Sequence, residues 1–185
     1  LQLQMEQQIK EQEFAEQLNK RLAGELPHIN INGTDFTIDL QLGELRETKA
    51  PGNSIQLHQM QAGRAGEVYL FFYHTQKHTV YDPPANNKSL PTHVGVVEIP
   101  VEAQLDPVAT AEMLGVDIKE FVKSNQLQNE LTAVVKPLSQ TRLPELIQQN
   151  LRTDEQLRLQ RDRQNGRDND KDLDQSFNQG PRIGR

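Results

Sequence analysis

The sequence contains no cysteine and no tryptophan. Without a thiol there are no disulfides, thiolate metal sites, iron–sulfur clusters or cysteine nucleophiles. Long apolar runs are missing too, and no stretch approaches the ~20 residues of a membrane span. The N-terminal LQLQMEQQIKEQE lacks the apolar centre of a secretory signal, so a cytoplasmic protein is expected, with no membrane partner. The first residue is Leu1, so a processed or truncated product, a non-AUG start and a start at Met5 all stay open. No GxxxxGK[ST] loop, GxGxxG turn or GxSxG elbow occurs. Acidic residues such as Asp35, Asp39, Glu44 and Glu47 are scattered, and no spacing pairs them as acid and base. No cofactor is implied. The protein is expected to be a non-enzyme more readily than an enzyme.

Apolar side chains are scarce: 35% of residues are hydrophobic, 25% are charged and the mean hydropathy is -0.73. So polar a chain of 185 residues must draw its core from a shorter stretch. The formal net charge of -6 disfavours nucleic-acid binding without excluding it, because charge can be segregated.

The segment 1–25 reads as a polar helix. Met5, Ile9, Phe14, Leu18 and Leu22 stand out among Gln and Glu, Gly24 suits the C-terminal cap and Pro27 follows. Docking on its own domain and association with a partner, including a homodimer through this helix, are both open. A core domain is expected over 26–151. HININGTDFTIDLQL alternates apolar and polar around Asn32-Gly33, the pair that a type I′ hairpin turn demands. SIQLHQM, EVYLFFYHTQKHTVY, HVGVVEIPV and ELTAVVKPL read as further strands. Asp106-Pro107 and Asp117 open two short helices with Gly115 between them, and Thr141 opens a last one. The fold class implied is α+β: an antiparallel sheet of about five or six strands, an N-terminal helix, and short helices after the sheet. Residues 152–185 carry 8 Lys/Arg and 7 Asp/Glu with few apolar residues. A charged helical extension is expected to about Arg163, then a disordered C-terminus over 164–185.

Five of the nine aromatic residues fall in YLFFYHTQKHTVYDP (69–83). A strand apolar on both faces is expected at the centre of a sheet. If its loop is Thr75-Gln76-Lys77, then His74 and His78 face each other and could share a metal ion, with His58, His93, Asp82 or Glu98 as further ligands by type. The competing reading is an ordinary hairpin tip. In VATAEMLGVDIKEFVKSNQ (108–126), Ala111, Gly115, Val116 and Phe121 have helix-turn-helix spacing. Its second helix would offer Lys119, Lys123, Ser124 and Asn125 to DNA, although its mixed charge suits a phosphate-lined groove poorly.

Taken together, LPHININGTDFTIDLQLGELRET, YLFFYHTQKHTVYDP and VVEIPVEAQLDPVATAEMLG resemble a group of uncharacterised bacterial proteins, some associated with mobile genetic elements. The resemblance covers roughly residues 26–150 and implies an accessory role without carrying over any site residue. The leading expectation is a cytoplasmic accessory module that binds another protein. The alternatives are a DNA-binding factor using 107–125 and a metal-binding protein centred on His74 and His78.

Overall fold

The computed structural model describes residues 1–177 of the chain. The chain divides into two compact units. The first holds Leu1–Asp82 and Pro91–Thr141; the second holds Pro83–Leu90 and the chain from Arg142 onward. This differs from the expected organisation at both ends. The N-terminal helix belongs to the first unit, and the last helix joins the loop 83–90.

In the first unit, helix α1 (Gln2–Leu22) leads into ten strands: β1 (His28–Ile31), β2 (Thr34–Asp39), β3 (Glu44–Glu47), β4 (Ser54–Gln56), β5 (Gln61–Ala62), β6 (Val68–His74), β7 (Thr79–Val80), β8 (Val94–Pro100), β9 (Glu130–Ala133) and β10 (Val135–Lys136). Between β8 and β9 lie three helices, α2 (Glu102–Leu105), α3 (Pro107–Leu114) and α4 (Ile118–Ser124). The α+β class holds, and the strands are shared between two sheets. One has the order β4-β3-β2-β1-β9; the other runs β10-β8-β6-β5, with β7 also beside β6. All pairings are antiparallel except β1 with β9, which is parallel.

Alternation dictates which side chains meet between the sheets. Ile29, Ile31, Phe36, Ile38, Leu45 and Ile55 point inward from the first sheet, and Phe71, Tyr73, Val97 and Ile99 from the second. Phe36 and Phe71 both meet the Tyr73 ring edge-on, with centroids 6.4 and 6.2 Å away. The expected single strand ELTAVVKPL is two strands in two sheets. Ala133 pairs with Ile31 in one, Val135 with Val97 in the other, and the intervening Val134 is exposed. SIQLHQM is likewise strand only over Ser54–Gln56, then a 3-10 turn.

The helices use the punctuation that the sequence supplies. Asp106 caps α3 by accepting from Ala109 N at 3.2 Å, with Pro107 at the first helical position. Gly115 adopts φ 68°, and its N–H and that of Val116 bond back to Glu112 and Ala111 in the Schellman pattern. A second, smaller core forms where Phe14 and Leu18 of α1 meet Val108, Ile118, Val122 and Leu127. Arg21 and Asp106, both buried, complete that contact with an ion pair of 2.8 Å.

Met5 and Ile9 do not continue the packed stripe of α1. The step from Ile9 to Phe14 is five residues, which turns the helix about 140° beyond a full revolution. Met5 and Ile9 therefore lie on a different face and are 60% and 52% exposed. Every residue from Leu1 to Glu13 is exposed.

In the second unit, α5 spans Leu143–Phe177. It continues past the expected end near Arg163, so residues 164–177 of the expected disordered segment are helical. Residues 178–185 of that segment lie outside the described residues. Asn150 Nδ2 donates to the carbonyls of Ala85 and Asn87 at 3.0 and 2.8 Å, and Lys88 pairs with Asp154, holding the loop 83–90 to the helix.

Candidate functional site

The β6–β7 hairpin decides the fate of the histidine pair. His74 lies opposite Thr79, not His78, and the loop has four residues, Thr75 to His78. The left-handed position falls on His78 itself, at φ 55°, where glycine or asparagine is the ordinary choice. The one-residue change in register sends the two imidazoles to different places. His74 Nδ1 accepts the N–H groups of Gln76 and Lys77 at 3.3 and 3.2 Å, and its ring stands 6.4 Å from that of His93. His58, Asp82, His93 and Glu98 are exposed. Among the described residues, no group of three or more His, Asp or Glu stands close enough to hold a metal ion.

His78 instead joins the two sheets. Thr34 shares its side of β2 with Phe36 and Ile38, and Glu47 shares its side of β3 with Leu45, so both point between the sheets at their rim. His78 Nδ1 lies 2.8 Å from Glu47 Oε1, and Nε2 lies 3.3 Å from Thr34 Oγ1. The imidazole stacks on Tyr73 with centroids 6.5 Å apart. Asn53 closes the ring of contacts: its Nδ2 donates to Glu47 Oε2 at 3.0 Å and to the His78 carbonyl at 2.8 Å. With Nδ1–H donating to the carboxylate, Nε2 of the neutral ring accepts from the Thr34 hydroxyl.

Hydroxyl, imidazole and carboxylate in that order have the connectivity of a proton relay. A relay needs an opening for substrate at the hydroxyl. Among the described residues, two surface hollows lie away from it. One of about 280 Å³ is bordered by Arg21, Asp39, Leu40 and Glu112; one of about 240 Å³ is bordered by Ala85, Lys88, Asn150 and Asp154. The cluster is a clip that holds the β6–β7 loop to β2 and β3. Its contacts offset a strain of about 1–3 kcal/mol that a left-handed non-glycine residue carries.

The Asn53 amide holds the Glu47 carboxyl below the usual carboxylate range, with burial opposing it and the His78 ring adding to it. Burial pushes the Tyr73 phenol up to about 12. Tyr69 is also pushed up to about 12, by donating to Glu102 and then by burial.

The Glu47 shift fixes a pH dependence. A carboxyl with a lowered folded-state pKa adds stability that is present above its unfolded value and lost as pH falls through the folded one. For Glu47 the window opens near 4.5 and extends below it. Glu47→Gln is expected to cost stability at pH 7 and progressively less below pH 4.5. Thermal melts of both proteins from pH 7 to pH 3 measure this; a gap that stays constant with pH refutes it.

The helix-turn-helix spacing does correspond to two packed helices, α3 and α4, and Ala111 is buried. Of the residues expected to face DNA, Lys123 pairs with Glu120 at 3.6 Å. Ser124 Oγ and Asn125 Nδ2 donate to helix carbonyls of Glu120 and Phe121 at 3.4 and 3.1 Å. Lys119 is exposed. The second helix is only seven residues long and carries Asp117 and Glu120 at its start.

No known protein family, curated protein or solved structure significantly matches the chain. Among the described residues, no helix is long and apolar enough to cross a membrane.

The cluster around His78 was not legible in the sequence. Glu47 and Thr34 are 31 and 44 residues from His78. Strand β3 has one apolar residue, Leu45, between Glu44 and Arg46, too short a pattern to announce a strand. The usable signal was the position of Thr34, which directly follows the Asn32-Gly33 turn and must share a face with Phe36 and Ile38.

Proposed function

We propose that this chain is a non-enzymatic, cytoplasmic accessory module that binds another protein through the N-terminal half of α1. One observation carries the reading. Phe14, Leu18 and Arg21 fix the C-terminal half of α1 to its domain, while Leu1 to Glu13 are exposed and present Met5 and Ile9 on another face. A polar helical segment of that length is marginal in water without a surface to lie on.

The partner is one with an apolar groove. Leu1, Met5 and Ile9 stand at steps of four residues, a short strip too small to reach the ~1,200 Å² of a stable interface against an identical helix. Helix-in-groove recognition needs few anchors, because the groove supplies most of the apolar surface. A homodimer through this helix is therefore the weaker form of the reading.

The experiment compares two full-length baits, wild type and Met5→Glu/Ile9→Glu, in extract of the native host. A protein retained stoichiometrically by the first and at least tenfold less by the second is the expected result. Equal retention by both, or turnover of ester or phosphoester substrates that His78→Ala abolishes, ends the proposal.

A further inference from the structure

The hollow of about 280 Å³ in the first unit is left unused by the proposed function. Three stretches of chain enclose it. Arg21 comes from α1, and Leu26 from the link between α1 and β1. Asp39 ends β2, and Leu40 follows it. Ala109 and Glu112 stand three residues apart on one face of α3. Leu40 and Ala109 are buried and Leu26 is half-buried, so part of the wall is aliphatic.

The polar part of the wall has bonding capacity to spare. Arg21 directs Nε and Nη2 at Asp106, and nothing among the described residues accepts from Nη1. Three buried polar side-chain atoms of the described residues lack a partner: Tyr73 Oη, Asn87 Nδ2 and Asn129 Oδ1. Arg21 Nη1 is not among them, so it meets solvent although only 9% of the side chain does. The hollow is the opening that Arg21 borders, and Nη1 faces it. Asp39 accepts from Arg46 Nη1 at 3.3 Å and from Leu42 N at 3.2 Å, one bond to each oxygen, which leaves a lone pair on both. Glu112 is exposed, and its carboxylate has no partner among the described residues. The polar groups of the other hollow satisfy one another: Lys88 pairs with Asp154, and Asn150 donates to the carbonyls of Ala85 and Asn87.

A cationic donor and two carboxylates around one hollow select a ligand that carries both charges. A lone carboxylate or phosphate would bring its charge up to Asp39 and Glu112, a like-charge contact that complementary sites avoid. A lone amine would displace the water at Nη1 without replacing its hydrogen bond. A zwitterion satisfies both sides. The side chains of Leu26, Leu40 and Ala109 have no hydrogen-bonding group, so they favour an aliphatic ligand body. The volume lies just under the ~300–1,000 Å³ of ordinary ligand pockets, which suits one small metabolite and not a nucleotide or a peptide.

We propose that this hollow binds a free aliphatic α-amino acid, whose carboxylate accepts from Arg21 Nη1 and whose ammonium donates to Asp39 and Glu112. The ligand bridges α1, the end of β2 and α3, so it stabilises the folded chain as its concentration rises. The site lies at the opposite half of α1 from Met5 and Ile9 and does not depend on what they bind.

The test uses proton–nitrogen correlation spectra of the full chain, with L-leucine added to about 10 mM, a range that covers weak binding. Saturable shifts are expected at the amides of Gly24, Gln41 and Glu112, all at the border of the hollow. Leucinamide lacks the carboxylate and isocaproate lacks the ammonium, and each is expected to bind at least about tenfold more weakly. Glu112→Gln puts a good helix former at an exposed position, so the fold is kept, and it is expected to weaken L-leucine at least about tenfold. Met113→Gln, at the exposed neighbouring residue, is expected to bind as the wild type does. The proposal is overturned by no saturable shift, by shifts that map away from the hollow, or by equal binding of either analogue. Unchanged affinity in Glu112→Gln, or an equal loss in Met113→Gln, overturns it too.

Discussion

Replacing Asp106 with alanine is expected to destabilise the protein by about 3–5 kcal/mol, the range found when one partner of a buried ion pair is removed. Three groups depend on this carboxylate. Arg21 Nε and Nη2 donate to it at 2.8 to 3.1 Å, and Ala109 N at 3.2 Å. Its side chain is 1% exposed and that of Arg21 9%, so water cannot take its place without moving α1 or α3. Asp106→Asn keeps an oxygen to cap α3 and loses the charge, so it separates the two roles. Losing a cap alone costs about 1 kcal/mol. The double variant Arg21→Met/Asp106→Asn leaves no buried charge, and it is expected to be more stable than Asp106→Ala. Urea denaturation of the set measures this. Equal stability of wild type and Asp106→Ala would show that α1 is held by Phe14 and Leu18 alone.

Gly95→Ala is the second substitution with a large expected effect. Gly95 is a buried residue of β8, paired with Tyr73 of β6 on one side and passed by β10 on the other. A methyl group there would overlap Val135 Cγ1 and stand 2.7 Å from the carbonyl oxygen of Lys136. The valine could rotate; the backbone carbonyl moves only if β10 moves. Because β10 directly follows β9, such a shift loosens the one connection that crosses from sheet to sheet after the helices. Overpacking a well-filled site costs about 1–3 kcal/mol, and the backbone clash places this case at the upper end. Denaturation midpoints decide it, and a midpoint within error of the wild type falsifies the claim that β10 sits tightly on β8.

Gly95 also shows what a sequence can and cannot convey. A glycine inside HVGVVEIPV signals a close approach of another backbone, yet nothing in the sequence says whose. Local signals were read correctly where the physics is local. Asn32-Gly33 makes its turn, with φ 52° and 90°, and Asp106, Gly115 and Asp117 bound their helices. The aromatic segment is a central strand, β6, flanked by β8 and by β5 and β7. What failed was long-range or depended on register. ELTAVVKPL looks like one strand because nothing local separates Ala133 from Val135. Their partners, Ile31 and Val97, are about 100 residues away in sequence for Ala133 and about 40 for Val135. The metal reading of His74 and His78 depended on a three-residue loop, and one added loop residue gave His78 to Glu47. Residues 164–177 look too polar to fold, and α5 runs through them as a continuation of the helix that begins at Leu143.

Helix α1 has two halves with different surroundings, and amide hydrogen exchange along it tests that difference most directly. In the free protein, protection is expected to rise steeply between Glu13 and Leu18, with Gln2 to Gln12 exchanging within seconds at neutral pH and the amides near Arg21 slowed at least a hundredfold further. Asp106→Ala should lower the protected half toward the other. Uniform, strong protection from Gln2 to Leu22 in the free chain would contradict the account, because the proposed docking segment would then already be packed.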